Sequence, residues 1–326
     1  MHGASDLEIG PMKYSLAAAL LAIVTASPAF SADYAEATLT PDGQILSQTH
    51  GEQDAAALYE AGSIGKFACT IATLRLADRD MVSLDATLGR LLPQFADTPI
   101  APISLRQLLA SRSGLADGLM PAFRSDPQSV MSTPDAPTAI ARFASGPLAF
   151  DPDTQWSYDL VNWIAVQAVL EKVSGLPIAE LLAREVLQPA GMGDSRVFLG
   201  RVGEGGAVPA SEAPPLPGFL TCAGGLGTTP RDLLALARFP HMGGVSAASL
   251  AELTTVHTPE EGYTLGGRFM YRDDSAGGQP LSWQSGSNGA YKSLVTYDPA
   301  SDTGFAAMTA SGDNTEIEAA RDAWMD

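Results

Sequence analysis

The amino-acid sequence predicts an α+β fold in which an antiparallel sheet, formed from N- and C-terminal segments and flanked by helices, carries an inserted all-helical subdomain. Three observations predict it. Short strand-like runs gather near residues 35–49 and again between 263 and 310, the residues between them carry mostly helical signals, and turn residues punctuate both strand groups. Strands from opposite ends of a chain share one sheet when the helical middle is accommodated as a block of its own. With 326 residues, 45% of them hydrophobic, the chain can fill a substantial core.

Taken in order, Met12 to Ala32 has a charged start at Lys13, an apolar run from Leu16 to Val24 and a small-residue exit through Ala29-Phe30-Ser31-Ala32. This describes a secretory signal peptide, and the run is too short to span a bilayer. Residues 1–11 are polar and acidic, unlike the start of a signal, so Met12 is the expected start and 1–32 an upstream extension plus signal. The protein is therefore expected to be exported, periplasmic or secreted, with no stable membrane span in its mature form. The expected domain covers 33–326, with a sheet part at about 33–80 and 220–326 and a helical insertion at about 81–219.

Ala35–Thr40 and Gln44–Thr49 flank Pro41-Asp42-Gly43 and predict a hairpin. Ile64, Phe67, Ile71 and Leu74 recur at helical spacing and predict a helix with one apolar face. Ser104 and Gln107 form a capping box for a helix expected to stop at Gly114. Further helices are predicted from about Asp159 to Ser174, ended by Gly175 and Pro177, and from Ile178 to Leu187. Thr229, Pro230 and Asp232 open another that reaches about Arg238. The period then changes to strands at Tyr263–Tyr271, Leu281–Gln284, Tyr291–Tyr297 and Gly304–Ala310, before an amphipathic helix from Glu316 to Trp324.

A net charge of −18 argues against nucleic acid and anionic membrane surfaces as partners, because both call for clustered Lys and Arg. The four histidines form no pair at metal-ligand spacing, so neither a metal nor another cofactor is expected. Cys69 and Cys222 are far apart in sequence; an exported protein can oxidise such a pair, but two inert buried thiols are the expectation.

The chemistry concentrates at Ser63-Ile64-Gly65-Lys66, where a hydroxyl and an amine share one face of a helix. A neutral lysine one turn along can take the serine's proton and make it a nucleophile. The chain has fifteen Arg and only four Lys, and of the two only Lys gives up its proton in a protein. Two later stations offer partners. Tyr158, between Ser157 and the start of a helix, supplies a phenol for proton transfer; Gln284-Ser285-Gly286-Ser287 supplies small residues on a strand, where a backbone N–H can face an oxyanion.

These stations, together with Leu105 to Leu109 before Ser113-Gly114-Leu115, Pro189 to Met192, and Ala223 to Thr228 before Arg231-Asp232-Leu233, resemble the serine beta-lactamase and penicillin-binding-protein superfamily, and its class C-like branch in particular. The resemblance runs from about residue 36 to 325. It implies Ser63 as the acylated nucleophile, Lys66 and Tyr158 as the shared base and acid, and the N–H groups of Ser63 and Ser287 as the oxyanion hole. Gln284, Ser285 and Gly286 would line the substrate. Trp156 flanks Tyr158 and is expected to pack around it, with a place in an acyl pocket as the alternative.

Two departures from the family pattern bear on substrate. Leu160 stands where the family places an amide-binding asparagine, and Asn162, two residues on, is expected to face elsewhere. Gln284 stands where the family has Lys or His, while Lys292 reads as a solvated strand residue. A substrate carboxylate would then lose a charge-assisted hydrogen bond, a kind that contributes about 1.5–3 kcal/mol. An ester needs neither partner, so a serine carboxylesterase using an acyl-enzyme is expected. Its partner would be a small-molecule ester, or an amide if the protein is instead a beta-lactamase or D-amino-acid peptidase or amidase. A non-catalytic binding or sensor domain of the same fold is the reading from another class. A nucleophile elbow at Ala61 to Gly65 with His257 as base fits poorly, because residues 56–59 make a weak strand and no acid partner for His257 stands out. Asp159 is expected to cap the helix that follows Tyr158.

Overall fold

The computed structural model describes residues 33–203, 206–207, 214–271 and 280–326. The expected upstream extension and signal peptide lie outside the described residues. Among these residues nine strands occur: β1 (Tyr34–Leu39), β2 (Ile45–His50), β3 (Tyr59–Glu60), β4 (Arg196–Val197), β5 (Leu226–Thr228), β6 (Arg268–Tyr271), β7 (Pro280–Asn288), β8 (Tyr291–Asp298) and β9 (Thr303–Thr309). The main sheet has the order β2-β1-β9-β8-β7-β6 and is antiparallel throughout. Within it β1 pairs with β9, Tyr34 opposite Thr309, so the two ends of the described chain share one sheet as expected.

Both faces of this sheet are covered, and the period of two along each strand sorts side chains between them. Ala306 and Met308 of β9 face the main core with Ala35, Ala37 and Leu39 of β1. Phe305 and Ala307 point the other way, to a smaller cluster with Tyr34, Leu294 and Ile317. Ile317 belongs to the C-terminal helix, and its burial contributes about 1.5–3 kcal/mol toward holding that helix on the sheet.

Four helices matter for the site: α1 (Ile64–Ala77), α2 (Val161–Ser174), α3 (Pro230–Arg238) and α4 (Thr315–Met325). Thr229 caps α3 as the sequence predicts, its hydroxyl accepting from the Asp232 N–H at 3.3 Å. Between β3 and β4 the elements are helical, and the Ser104–Gln107 capping box opens one of them. That helix ends at Leu109 rather than Gly114, because the chain turns at Ser111 with a positive φ of 56°. The helix from Ile178 widens into a π turn at Ala183–Leu187, which sets the buried Glu185 against Arg75 (3.4 Å) and Arg79 (2.9 Å).

Two expectations fail in a way that matters for function. α1 does not have a single apolar face: Lys66, Cys69, Thr70 and Thr73 are buried along with Ile64, Phe67, Ile71 and Leu74. A helix buried all round is a central helix, packed between the sheet side and the other helices. The cysteines, moreover, are not thiols. Cys69 and Cys222 form a disulfide with Cα atoms 5.6 Å apart, joining α1 to the Thr221–Gly224 segment across 153 residues. Sequence separation hid the pair, and only the packing of that segment on α1 creates it.

Candidate active site

A tight turn sets Ser63 at the mouth of α1. β3 is held by β5, with Tyr59 opposite Thr228, and Ala61 N–H donates to the Leu226 carbonyl at 2.8 Å. Gly62 then adopts φ 53°, a left-handed value that other residues reach at a cost, and Ser63 becomes the N-cap position of the helix. The positive end of the helix dipole therefore faces the space in front of the Ser63 hydroxyl.

Beneath it, Lys66 is 1% exposed. Its Nζ lies 2.9 Å from Ser63 Oγ and 3.0 Å from the Ala223 carbonyl oxygen. Burial drives its pKa down from the ordinary lysine value; Tyr158 and Asp159 oppose the fall and the Arg268 charge adds to it. A neutral amine can accept the hydroxyl's proton while donating an N–H to Ala223, so the geometry suits a base. The disulfide neighbours this carbonyl directly: Cys222 precedes Ala223, and Cys69 lies three residues beyond Lys66.

Tyr158 stands on the loop before α2, 39% exposed, with Lys66 Nζ 5.0 Å from its ring centre. Trp156 and Tyr263 pack against that ring at 5.9 and 6.0 Å. Asp159 stands one residue before Leu160, the N-cap position of α2, and still ties down the first turn, its carboxylate accepting from the Asn162 N–H at 3.1 Å and from the Asn162 side-chain amide at 2.9 Å; burial pushes its pKa up to about 6. Asn162 is buried and also accepts from the Ser113 hydroxyl, so its amide serves the interior. Leu160 is half-buried against the core.

The third station arrives on β7. β6 pairs with β7 only from Pro280 to Trp283, which leaves the edge beyond Gln284 facing the Ser63 turn. The approach is very close. A Cβ on Gly286 would lie 1.9 Å from the Ala61 carbonyl oxygen, and one on Gly62 would lie 2.5 Å from the Ser287 nitrogen. Two positions without side chains thus let the Ser287 N–H sit beside the Ser63 turn. Ser293 on β8 ties the contact, donating to the Ala61 carbonyl at 2.9 Å.

Ser63, Tyr158, Ser285, Gly286 and Ser287 line a single cleft of about 400 Å³. Trp156 and Gln284 are not in its lining. Trp156 backs Tyr158 and Tyr263, whereas Gln284 is buried with its side-chain amide against Gly267.

The cleft holds cations that were not read from the sequence. Arg268, Lys292 and Arg321 line it, with Trp283 and Glu318. Lys292 is not simply solvated: it lies opposite Ser287 across the β7–β8 hairpin and donates to Ser287 Oγ at 2.7 Å and the Gly289 carbonyl at 2.8 Å. The signal for it was present, since the two-residue loop Gly289-Ala290, with Gly289 at φ 57°, fixes that register. Arg268 and Arg321 depend on tertiary packing. The elbow alternative fails on topology, since β3 is a two-residue strand in an antiparallel sheet, and His257 Nε2 is buried without a hydrogen-bond partner. Among the described residues, no group of three or more His, Cys, Asp or Glu is arranged to hold a metal, and no helix is long and apolar enough to cross a membrane.

A family model described as beta-lactamase matches residues 32–325. Esterase EstB of Burkholderia gladioli is 32% identical over 171 residues, 49% of this chain and 43% of that protein, and the lovastatin esterase of Penicillium rubens is 25% identical over 49% and 44%. The matches thus span less than half the length of either relative. A D-stereospecific amidohydrolase from a Streptomyces species superposes with a TM-score of 0.75 at 21% identity, over 88% of this chain and 92% of that one.

Proposed function

The chain belongs to the beta-lactamase family, whose members are serine hydrolases including esterases, amidases and peptidases, and from that premise we propose that it is an exported serine carboxylesterase acting through an acyl-enzyme on Ser63. The observation that carries this reading is the buried Lys66 amine 2.9 Å from the Ser63 hydroxyl. Ser63 Oγ attacks the ester carbonyl carbon as its proton passes to Lys66 Nζ. The Ser63 and Ser287 N–H groups donate to the oxyanion. When the intermediate collapses, the proton travels from Lys66 through Tyr158 to the departing alcohol oxygen. Water then adds to the acyl-enzyme, giving its proton back through the same groups. The C–O bond to Ser63 breaks, and the carboxylic acid leaves as Ser63 regains its hydrogen.

The preference for an ester rests on Leu160, which offers no amide to a substrate amide, and on the two esterase relatives. The lack of a cation at Gln284 no longer supports it, because Lys292 and Arg321 stand in the cleft. Those two charges favour a second reading, an amidase for D-amino-acid substrates or beta-lactams that carry a carboxylate. The Cys69–Cys222 disulfide supports export to an oxidising compartment.

Intact-mass detection of an acyl adduct across p-nitrophenyl esters, nitrocefin and D-amino-acid amides tests both readings. An adduct expected on wild type and absent from Ser63→Ala supports the nucleophile; faster turnover of nitrocefin or D-amides than of p-nitrophenyl butyrate favours the second reading. An intact Ser63 that fails to label with a fluorophosphonate points to a binding or sensor domain.

A further inference from the structure

We propose that Arg268 is the fixed cation beside the proton relay, a positioning residue that holds the Tyr158 ring against the Lys66 amine and supplies the charge that Gln284 does not. The assignment rests on the reading of Ser63, Lys66 and Tyr158 given above. Arg268 is on β6, directly opposite Trp283 of β7, and its neighbour Gly267 lies against the Gln284 side-chain amide. A charge from the adjacent strand therefore enters the site beside the third station.

Its surroundings are those of a held group. The guanidinium carbon lies 5.4 Å from the Tyr158 ring centre, 5.2 Å from that of Tyr263 and 5.5 Å from that of Trp283. The side chain is 21% exposed, and its carboxylate contact, Glu261, is long at 3.9 Å. Three aromatic rings attract such a cation and together restrain it. Tyr158 is 39% exposed, and Arg268, Trp156 and Tyr263 are the groups packed against its ring.

The Lys66 amine, with Nζ at 5.0 Å, and the Arg268 guanidinium, at 5.4 Å, thus share the Tyr158 ring. Arg268 keeps its charge at every working pH, so it opposes protonation of Lys66 without competing as a base. During turnover the same fixed charge eases the moment at which Tyr158 hands its proton to the leaving group. The other charged or titratable groups around this pair are Glu261 on the turn before β6, Tyr263, Asp159 beside Tyr158, and Lys292, Glu318 and Arg321 across the cleft.

The experiment compares wild type, Arg268→Met, Arg268→Lys and Ser63→Ala on p-nitrophenyl butyrate from about pH 5 to about pH 10, with active sites counted by fluorophosphonate labelling. Arg268→Met is expected to lower kcat per labelled site about tenfold with KM changed less than about threefold, and to move the acid limb of the profile up by about half a pH unit, because Lys66 then holds its proton to higher pH. Arg268→Lys is expected to keep the limb in place and to lower kcat by less. A merely structural role would lower the labelled fraction and leave both limb and kcat per site unchanged; that result overturns the assignment, as does an equal shift in Arg268→Lys. If Arg268→Met gives no labelled protein, a lowered kcat on an unmoved limb in Arg268→Lys supports the assignment and a wild-type kcat overturns it. Full hydrolysis by Ser63→Ala would instead sink the parent reading, whereas an inert Ser63→Ala beside an unaffected Arg268→Met sinks only the role of Arg268.

Discussion

The two walls of the cleft are built differently. On the α1 wall, Lys66 is buried, held at 3.0 Å by a backbone carbonyl, and that carbonyl's neighbour is stapled back to the same helix by a disulfide. On the facing wall, Lys292 of β8 and Arg321 of the C-terminal helix line the cleft beside the ring-held Arg268. Under the proposed function, the difference separates chemistry from recognition. Proton transfer needs a base whose pKa and position are fixed, which burial and covalent restraint provide, whereas binding an outside molecule needs charges that remain open to it.

Substitutions on the buried wall should have the largest effects. Lys66→Arg keeps the charge but removes the ability to act as a base, and kcat for p-nitrophenyl butyrate is expected to fall about 10³- to 10⁴-fold in steady-state assays. Activity within tenfold of wild type would show that another group takes the Ser63 proton. Next comes Gly286→Ala, where the added carbon meets the Ala61 carbonyl at 1.9 Å and forces β7 away from the Ser63 turn. Loss of one oxyanion donor typically costs about 10²- to 10³-fold, so a kcat drop of that size is expected; an unchanged kcat would break the proposed role of Ser287.

The staple is a test of restraint rather than chemistry. Replacing both Cys69 and Cys222 by Ala should cost about 2–5 kcal/mol in urea unfolding while kcat per labelled site falls less than about tenfold. A larger loss of kcat at modest loss of stability would mean that the disulfide governs Lys66 itself, and would sharpen the contrast between the walls. The smallest effect is expected from Lys292→Ala: KM for an ester bearing a carboxylate should rise about three- to tenfold, and more than for a neutral ester. Equal changes for both substrates would remove the recognition role from this wall.

Pattern and turn chemistry made much of the fold legible. The Thr229 cap, the Ser104–Gln107 box, the opening hairpin and the final helix all depend on residues within a few positions of one another, and the structure has them within a residue or two of expectation. The Ser63 to Lys66 spacing was legible for the same reason, since one helical turn joins them. Trp156 packs on Tyr158, as its place two residues away suggests, whereas the inward turn of Gln284 was not legible because the direction of a side chain on a strand is set by what packs over it. Lys292 was misjudged because hairpin register was not carried from Ser287 to its partner.

The sequence by itself determined the family, the order of the elements and the local pair of hydroxyl and amine, all of which are encoded in short-range spacing and in motifs that occur in a fixed order. Only the tertiary structure decided that α1 is buried all round, that Cys69 meets Cys222, and that Arg268 stacks among three rings beside Tyr158. The physical reason is common to all three. Desolvation, disulfide geometry and cation–aromatic attraction act over a few ångströms of space, and residues 153 positions apart acquire that proximity only through the packing of the whole core.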